Sequence, residues 1–467
     1  MLGDLRGKLE PVGRLEILDG VAAKALEYFA AVPTTDLSDE ELARRSQALY
    51  QLGDVRARQG KVTEAIAPLE ESLALARELV AREPSNLQRT FDLAQSHFWL
   101  GSALLDAGRP QAAQKQFLSY FDLASRAVKR DPNDRTWLME LAYAQTNLAA
   151  VAEMTGNLAE AVSRATASLA IKERLAQGRG ADLGLLRDIA GGQSWLASIR
   201  AKQGDLRGAL VGYEQELTLR RRIVARQPSN SQDRAFLAIS LSHAAEVAWP
   251  LGHLEDARVS LVEMRAILGE LTALDPKNDR WMRFLAICHR QLGELAAERD
   301  RDQARRELLA AAKILAALGA KSSAVFDARR EAARVDLAQA ELSFKSPEPA
   351  LAEIDVAKCL KVLETLATQQ PQDLRVSNLK ARTLLLLGDM ARAQGDRATA
   401  ERTWQQALDA VEGSARTSGD PIVLVPAIQA LMSLHRGPEA ARIRTRLRAS
   451  GYRLPLAIDP SLGEQTP

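Results

Sequence analysis

Cysteine is nearly missing from this chain of 467 residues: Cys288 and Cys359 are the only two. They cannot build a disulfide framework and suit a reducing compartment, so a cytoplasmic protein is expected. Aromatic residues make up only 4% of the chain, while Ala, Leu and Arg recur throughout, a mixture that favours helix over strand. No sign of charge dominates. Against 62 Lys and Arg stand 60 Asp and Glu, a formal charge of +2, which offers no global field to nucleic acid or an anionic membrane. Long apolar runs are absent too. Stretches such as 384–387 and 422–425 fall far short of the ~20 residues of a membrane span. Near the N-terminus Asp4 stands where a secretory signal would need a basic flank and then an apolar run.

The residues of chemistry are as sparse. His97, His243, His253, His289 and His435 never pair at i and i+4, and no Cys-x-x-Cys occurs, so no metal signature is present. Cys288 and His289 are chain neighbours, but adjacent helical residues point ~100° apart, which fits packing better than one nucleophile-base unit. The segment Gln177 to Ala181 carries two glycines without the Lys and Ser/Thr of a phosphate-cradling loop. No nucleophile, base and stabiliser converge, so neither an enzyme nor a cofactor is expected.

What the chain does have is a period. Gly60, Gly108, Gly156, Gly204 and Gly252 stand 48 residues apart, and Gly395 resumes the series one residue short. Pro84, Pro132, Pro228 and Pro276 keep the same step, with Gly180 in the vacant slot and Pro371 again one short. Small residues recur at Gly53, Gly101, Ala149, Ala197, Ala245, Gly293, Ala340 and Gly388, and again at Ala65, Ala113, Ala161, Ala209, Ala257, Ala352 and Ala400. Each unit reads as helix, tight Gly turn, helix, Pro turn. In the second unit Phe91, Ala94, Phe98, Leu100, Ala103 and Leu104 follow a helical spacing. Gly108 suits a left-handed helix end and Pro110 the first turn of the next helix. Asn157, Asp205 and Asp396 follow their glycines as helix caps.

His97, Leu100, Gly101, Leu104, Ala113, Phe117 and Pro132 carry a resemblance to the tetratricopeptide repeat family, in a long bacterial version with 48-residue units. Seven extra residues in each helix, nearly two turns, add ~10 Å while rotating the buried face by only ~20°. The resemblance implies an all-α, right-handed superhelical solenoid of antiparallel helix pairs. Residues 1–38 read as a helical lead-in, 39–415 as eight repeats, 416–450 as a capping helix pair and 451–467 as a loose tail. Repeats six and seven depart most: Asp300 replaces the turn Gly, Arg305 stands where the small Ala belongs, and residues 346–349 turn through two prolines.

The family's concave groove is lined by first helices, at fixed offsets from the small Gly or Ala. Carried onto this sequence, those positions give Tyr50 and Asp54, Phe98 and Ser102, then Tyr143 and Thr146: an early groove that is uncharged in the main and partly aromatic. Glu246 and Trp249 come next, then Arg290 and Glu294, and Arg334 and Glu341. Arg382, Asp389 and Arg392 complete a later groove charged with both signs. Such a division suits an extended or helical segment with an apolar anchor at one end and mixed charge at the other. The alternative is that these charges neutralise one another and the face is idle. Trp249 with Pro250 is the least ordinary pair, since Pro250 ends a helix two residues before Gly252.

Trp99 and Trp195, two periods apart, and Trp137 and Trp281, three apart, read as packing between repeats rather than a ligand surface. Arg220, Arg221 and Arg222 read as a solvated helix end rather than a phosphate contact. The function expected is a scaffold or sensor that binds a protein or peptide partner in the groove. The alternative is the regulatory half of a larger bacterial signalling or defence protein whose effector domain is not in this chain. A nucleic-acid-binding regulator would need a continuous basic stripe, which the near-neutral charge opposes.

Overall fold

The computed structural model describes residues 37–177, 182–319, 325–344 and 350–454. Among them stand nineteen helices and no strand. The residues fall into two compact units, one ending at Ala181 and the other beginning at Asp182.

The first unit holds three helix pairs: α1 (Asp39–Arg58) with α2 (Val62–Arg82), α3 (Leu87–Asp106) with α4 (Pro110–Arg130), and α5 (Arg135–Met154) with α6 (Leu158–Ala176). The second holds α7 (Leu183–Gln203) with α8 (Leu206–Arg226), α9 (Ser231–Ala248) with α10 (Leu254–Leu274), and α11 (Asp279–Ala296) with α12 (Arg301–Gly319). It continues through α13 (Val325–Phe344), α14 (Ala350–Gln369), α15 (Leu374–Ala393) and α16 (Arg397–Asp409). The short α17 (Glu412–Thr417) and a last pair, α18 (Pro421–Ser433) and α19 (Gly437–Ala449), close it.

Local chemistry sets these boundaries. Gly60, Gly108, Gly156, Gly204, Gly252 and Gly395 all have φ between 70° and 87°, the left-handed turn that a side chain resists and a tight antiparallel reversal requires. Asn157, Asp205 and Asp396 then cap the second helices, accepting from Glu160 N (3.3 Å), Gly208 N (2.8 Å) and Thr399 N (3.0 Å). First helices start by an equally regular rule. Two residues after Pro84, Pro132, Pro228, Pro276 and Pro371 come Asn86, Asp134, Asn230, Asn278 and Asp373, and the side chain of each caps the next helix. Gly180 lies outside the described residues, but Asp182, two further on, accepts from Leu185 N at 2.7 Å and keeps the pattern.

In four pairs the first helix offers a bare glycine to a large side chain on the second. A Cβ added at Gly53 would stand 2.5 Å from Leu69, at Gly101 2.6 Å from Phe117, at Gly293 2.8 Å from Leu308, and at Gly388 2.3 Å from Trp404. The pair α7–α8 packs as closely, with Ala197 fully buried against Gly212. Repeat six corrects the sequence register: Ala304, fully buried and facing Gly293, is the small residue of α12, and Arg305 is exposed beside it. The one-residue shortening therefore falls in the α11–α12 turn, where Asp300 caps Gln303 N at 2.8 Å in place of a Gly turn.

The expected lead-in, residues 1–38, falls outside the described residues except for Leu37 and Ser38. Leu37 is buried with Leu42, Leu49, Leu75 and Leu79, and Ser38 forms a reciprocal cap with Glu41. At the other end Gly451 is buried, and the Arg453 amide donates to Pro250 O at 2.8 Å. The expected loose tail is thus docked where it begins. Residues 455–467 lie outside the described residues. No helix among the described residues is long and apolar enough to cross a membrane.

Ala197→Leu should cost about 1 to 3 kcal/mol through overpacking, read as a lowered urea midpoint of the second unit. Arg126→Ala, on an exposed face of α4, should leave the midpoint unmoved. Equal midpoints for Ala197→Leu and the parent would contradict the assigned packing.

Candidate functional site

In the first unit Tyr50, Trp99, Phe98 and Tyr120 form a connected aromatic row, and Tyr143 stands on the next first helix. Tyr50 of α1 packs on Trp99 with ring centroids 5.2 Å apart, and Phe98 meets Trp99 edge-on at 4.8 Å and Tyr120 at 5.8 Å. Tyr50, Phe98 and Trp99 are half-buried, and Tyr143 of α5 is the most open of the row, 36% exposed, with the Lys172 ammonium 5.1 Å from its ring centre. The polar groove positions are engaged internally. Asp54 is buried and accepts from Arg58 Nε at 2.9 Å; Ser102 donates to Phe98 O at 3.0 Å; Thr146 donates to Ala142 O at 3.1 Å and lies 2.8 Å from Ser168 Oγ. The row thus presents aromatic surface beside Asp54, Ser102 and Thr146, whose side chains are already bonded within the protein.

Beneath it lies a carboxyl that sequence reasoning did not single out. Glu140 accepts from the Tyr120 hydroxyl and from Gln95 Nε2 (2.7 Å). Burial pushes its pKa above the usual carboxylate value against the pull of those two bonds. Glu140 gave no periodic signal, because its partners come from two other helices.

The charged positions of the second unit meet one another. Arg290, only 2% exposed, binds Glu294 (2.6 Å) on its own helix and Glu331 on α13. Arg334 bridges Glu294 (3.3 Å) and Glu246 (3.5 Å), linking α13 to α11 and α9. Arg382 of α15 donates to both oxygens of Glu341 at 2.8 Å. Asp389 accepts from Trp404 Nε1 at 3.2 Å, and the Arg392 guanidinium stands 5.6 Å from the centre of that ring. Burial alone would raise the Glu294 pKa, but Arg290, Arg334 and Arg382 hold it down to about 2. Glu246 is lowered in the same way: burial opposes its charge, and Arg334, Arg290 and Arg375 outweigh it. Trp249 sits apart from this network, half-buried against the apolar cluster that contains Leu206, Leu251 and Leu261.

Other readings resolve similarly. Trp137 and Trp281 are buried. Arg220 is buried rather than solvated, pairing with Glu216 at 3.4 Å while Ser240 donates to the same carboxylate at 2.6 Å, and Arg221 binds Glu263 at 2.7 Å. Cys288 donates to Leu261 O at 3.2 Å, and burial pushes its thiol up to about 12; Cys359 donates to Ala333 O and is pushed up to about 11. No group of three or more His, Cys, Asp or Glu among the described residues is arranged to hold a metal ion.

No protein-family model matches the sequence, and no curated protein matches it either. Solved structures do. The apo form of RapI is 11% identical, with a TM-score of 0.53 over 87% of this chain and 99% of RapI. A Rap protein complexed with competence and sporulation factor is 13% identical, with a TM-score of 0.44 over 88% of this chain and 98% of that one. A signal-transduction ATPase with a tetratricopeptide repeat sensor, from Pyrococcus horikoshii, is 13% identical, with a TM-score of 0.48 over 79% of this chain and 50% of that one. At such identities the likeness bears on fold alone: the chain is an all-α, tetratricopeptide-like helical-repeat solenoid.

Replacing Glu294 by Gln keeps the shape but leaves Arg290 and Arg334 short of a counter-charge. A loss of about 3 kcal/mol is expected at neutral pH, the scale for breaking a buried pair. Because the native pKa is depressed, this stability is present above the ordinary value of 4.5 and lost as pH falls toward about 2. Urea titrations of parent and variant should therefore converge across that window. Parallel curves from pH 7 to pH 3 would contradict the network.

Proposed function

We propose that this protein is a binding scaffold or sensor that holds a protein or peptide segment on the first-helix face of its repeats, anchored by the aromatic row of the first unit. The observation that carries the reading is that row itself: Tyr50, Phe98 and Tyr143 stand on α1, α3 and α5, partly open, while Asp54, Ser102 and Thr146 beside them are bonded internally. Aromatic side chains that keep open surface on successive helices supply large contact area at low entropic cost, the pattern of binding hot spots. Helical-repeat arrays offer such faces to extended or helical segments.

The second unit supports a division of labour different from the sequence expectation. Arg290, Glu294, Arg334, Glu246, Glu341 and Arg382 are paired with one another or with Glu331, so a partner would have to displace existing ion pairs to use them. Recognition therefore rests on the aromatic row of the first unit, and the ion pairs of the second unit hold its own helices in place. Trp249, placed among the groove residues by its spacing, is better suited to packing than to capture.

Tyr50→Ala combined with Tyr143→Ala should leave the helix content intact and weaken by at least about tenfold the binding of the partner recovered from native lysate, measured by titration of that partner. Arg126→Ala on the outer face should bind as the parent does, and Trp249→Ala should lower thermal stability first. Full binding by the double variant, together with loss of binding in Arg126→Ala, would move the site to the second-helix face.

A further inference from the structure

Three polar side chains meet beside the aromatic row, one each from α3, α4 and α5. Gln95 of α3 stands three residues before Phe98, and Glu140 of α5 three before Tyr143, so each shares a helix face with its ring. Gln95 Nε2 donates to Glu140 Oε2 at 2.7 Å, which ties the two first helices together alongside the row. From α4 the Tyr120 hydroxyl donates to the same oxygen, and the Tyr120 ring packs on Phe98 with centroids 5.8 Å apart. Both bonds therefore fall on Oε2. Oε1 has no hydrogen-bond partner among the described residues, and the half-buried side chain leaves it within reach of solvent.

This oxygen differs from the polar groups around it. Asp54, Ser102 and Thr146 make bonds within the protein, whereas Oε1 is an acceptor still open beside Tyr143. Burial already works against the Glu140 charge, while Tyr120 and Gln95 pull the other way. A segment lying on Phe98 and Tyr143 would take still more water from the carboxyl. An apolar or acidic residue set there would leave an unpaired charge in a drier place, whereas a basic residue would neutralise it. Lysine and arginine also suit the surroundings, since their methylene stems pack on apolar surface while the charged head reaches a polar group. A cation beside these rings has a precedent within the protein: the Lys172 ammonium, from α6, stands 5.1 Å from the centre of Tyr143.

We propose that Glu140 sets partner choice on this face, its Oε1 receiving a lysine or arginine side chain from a segment whose apolar neighbours rest on Phe98 and Tyr143. This deepens the reading of the aromatic row as the binding face and rests on it. The bonds from Tyr120 and Gln95 hold the carboxyl in place before a partner arrives, so little ordering is required of it on binding.

The test selects peptides from a random library displayed on phage, with the full chain as bait. The parent is compared with Glu140→Gln and with Tyr50→Ala combined with Tyr143→Ala. Peptides held by the parent and lost on the double tyrosine variant should carry Lys or Arg next to apolar residues. One of them is then synthesised with its basic residue and again with norleucine there, which keeps an apolar stem and removes the charge. The parent should bind the basic form at least about tenfold more tightly. Glu140→Gln still offers an oxygen to Tyr120 and Gln95, so its helix content and urea midpoint should stay with the parent's while the advantage of the basic peptide disappears. Equal affinity of the parent for the two peptides would overturn the proposal, and that comparison stands even if the variant fails to fold. Equal weakening of both peptides in a folded Glu140→Gln would make the carboxyl a structural tie and overturn it as well. Tyrosine-dependent peptides without a basic residue would overturn the role of Glu140 and leave the row as the binding face. No enrichment by the parent, or enrichment that survives the loss of Tyr50 and Tyr143, would overturn the row and this inference with it.

Discussion

The structure depends on one steric constraint: in four of the pairs the first helix must be bare where the second helix brings a bulky apolar side chain. Gly53 lies under Leu69, Gly101 under Phe117, Gly293 under Leu308 and Gly388 under Trp404, at separations no Cβ would tolerate without movement. Such contact lets Phe117, Leu308 and Trp404 be buried within one pair rather than exposed, each a gain of roughly 1.5 to 3 kcal/mol. Once the pair is closed, its outer edges carry the residues that join it to the next pair, so the 48-residue period follows from repeating one contact. The left-handed glycines serve the same end, since an open turn would separate the small residue from its large partner.

Charge is handled in opposite ways by the two units. In the first, the groove side carries aromatic rings; the half-buried Glu140 is held by a hydroxyl and an amide, and the buried Asp54 by Arg58 of its own helix. In the second, acids and bases alternate across α9, α11, α13 and α15 and neutralise one another. Desolvating an ion pair costs free energy that the pairing only partly returns, so these bridges argue for a particular arrangement of helices more than for high stability. Arg334, which touches Glu294 and Glu246 on two different helices, holds three successive first helices in register. An inner face built this way is ordered before any partner arrives.

Much of the architecture was legible because it repeats. The glycine series marked the turns, and the structure gives each of its members a positive φ; Asn157, Asp205 and Asp396 cap as their spacing implied. Periodicity failed where the period slipped. With one residue missing from the α11–α12 turn, Arg305 fell on the small position by counting, while Ala304 occupies it in space. Of the site, the sequence told which residues share a face but not what stands opposite. Arg290, Glu294, Arg334, Glu341 and Arg382 were placed on the groove side, and the pairing of Glu294 with Arg334 and of Glu341 with Arg382 came into view only once neighbouring helices were in position. Gly419 and Arg453 belong to no period, so nothing in the sequence pointed to the contacts they make with Gln203 and Pro250.

The central claim is that partners dock on the first-helix face of the first unit. Hydrogen exchange of the full chain with and without its captured partner tests this most directly, because protection maps the contacted helices without altering any residue. The account predicts slower exchange concentrated in α1, α3 and α5, around Tyr50, Phe98 and Tyr143, with α2, α4 and α6 unchanged. Protection confined to α2, α4 and α6, or to the second unit alone, would contradict it.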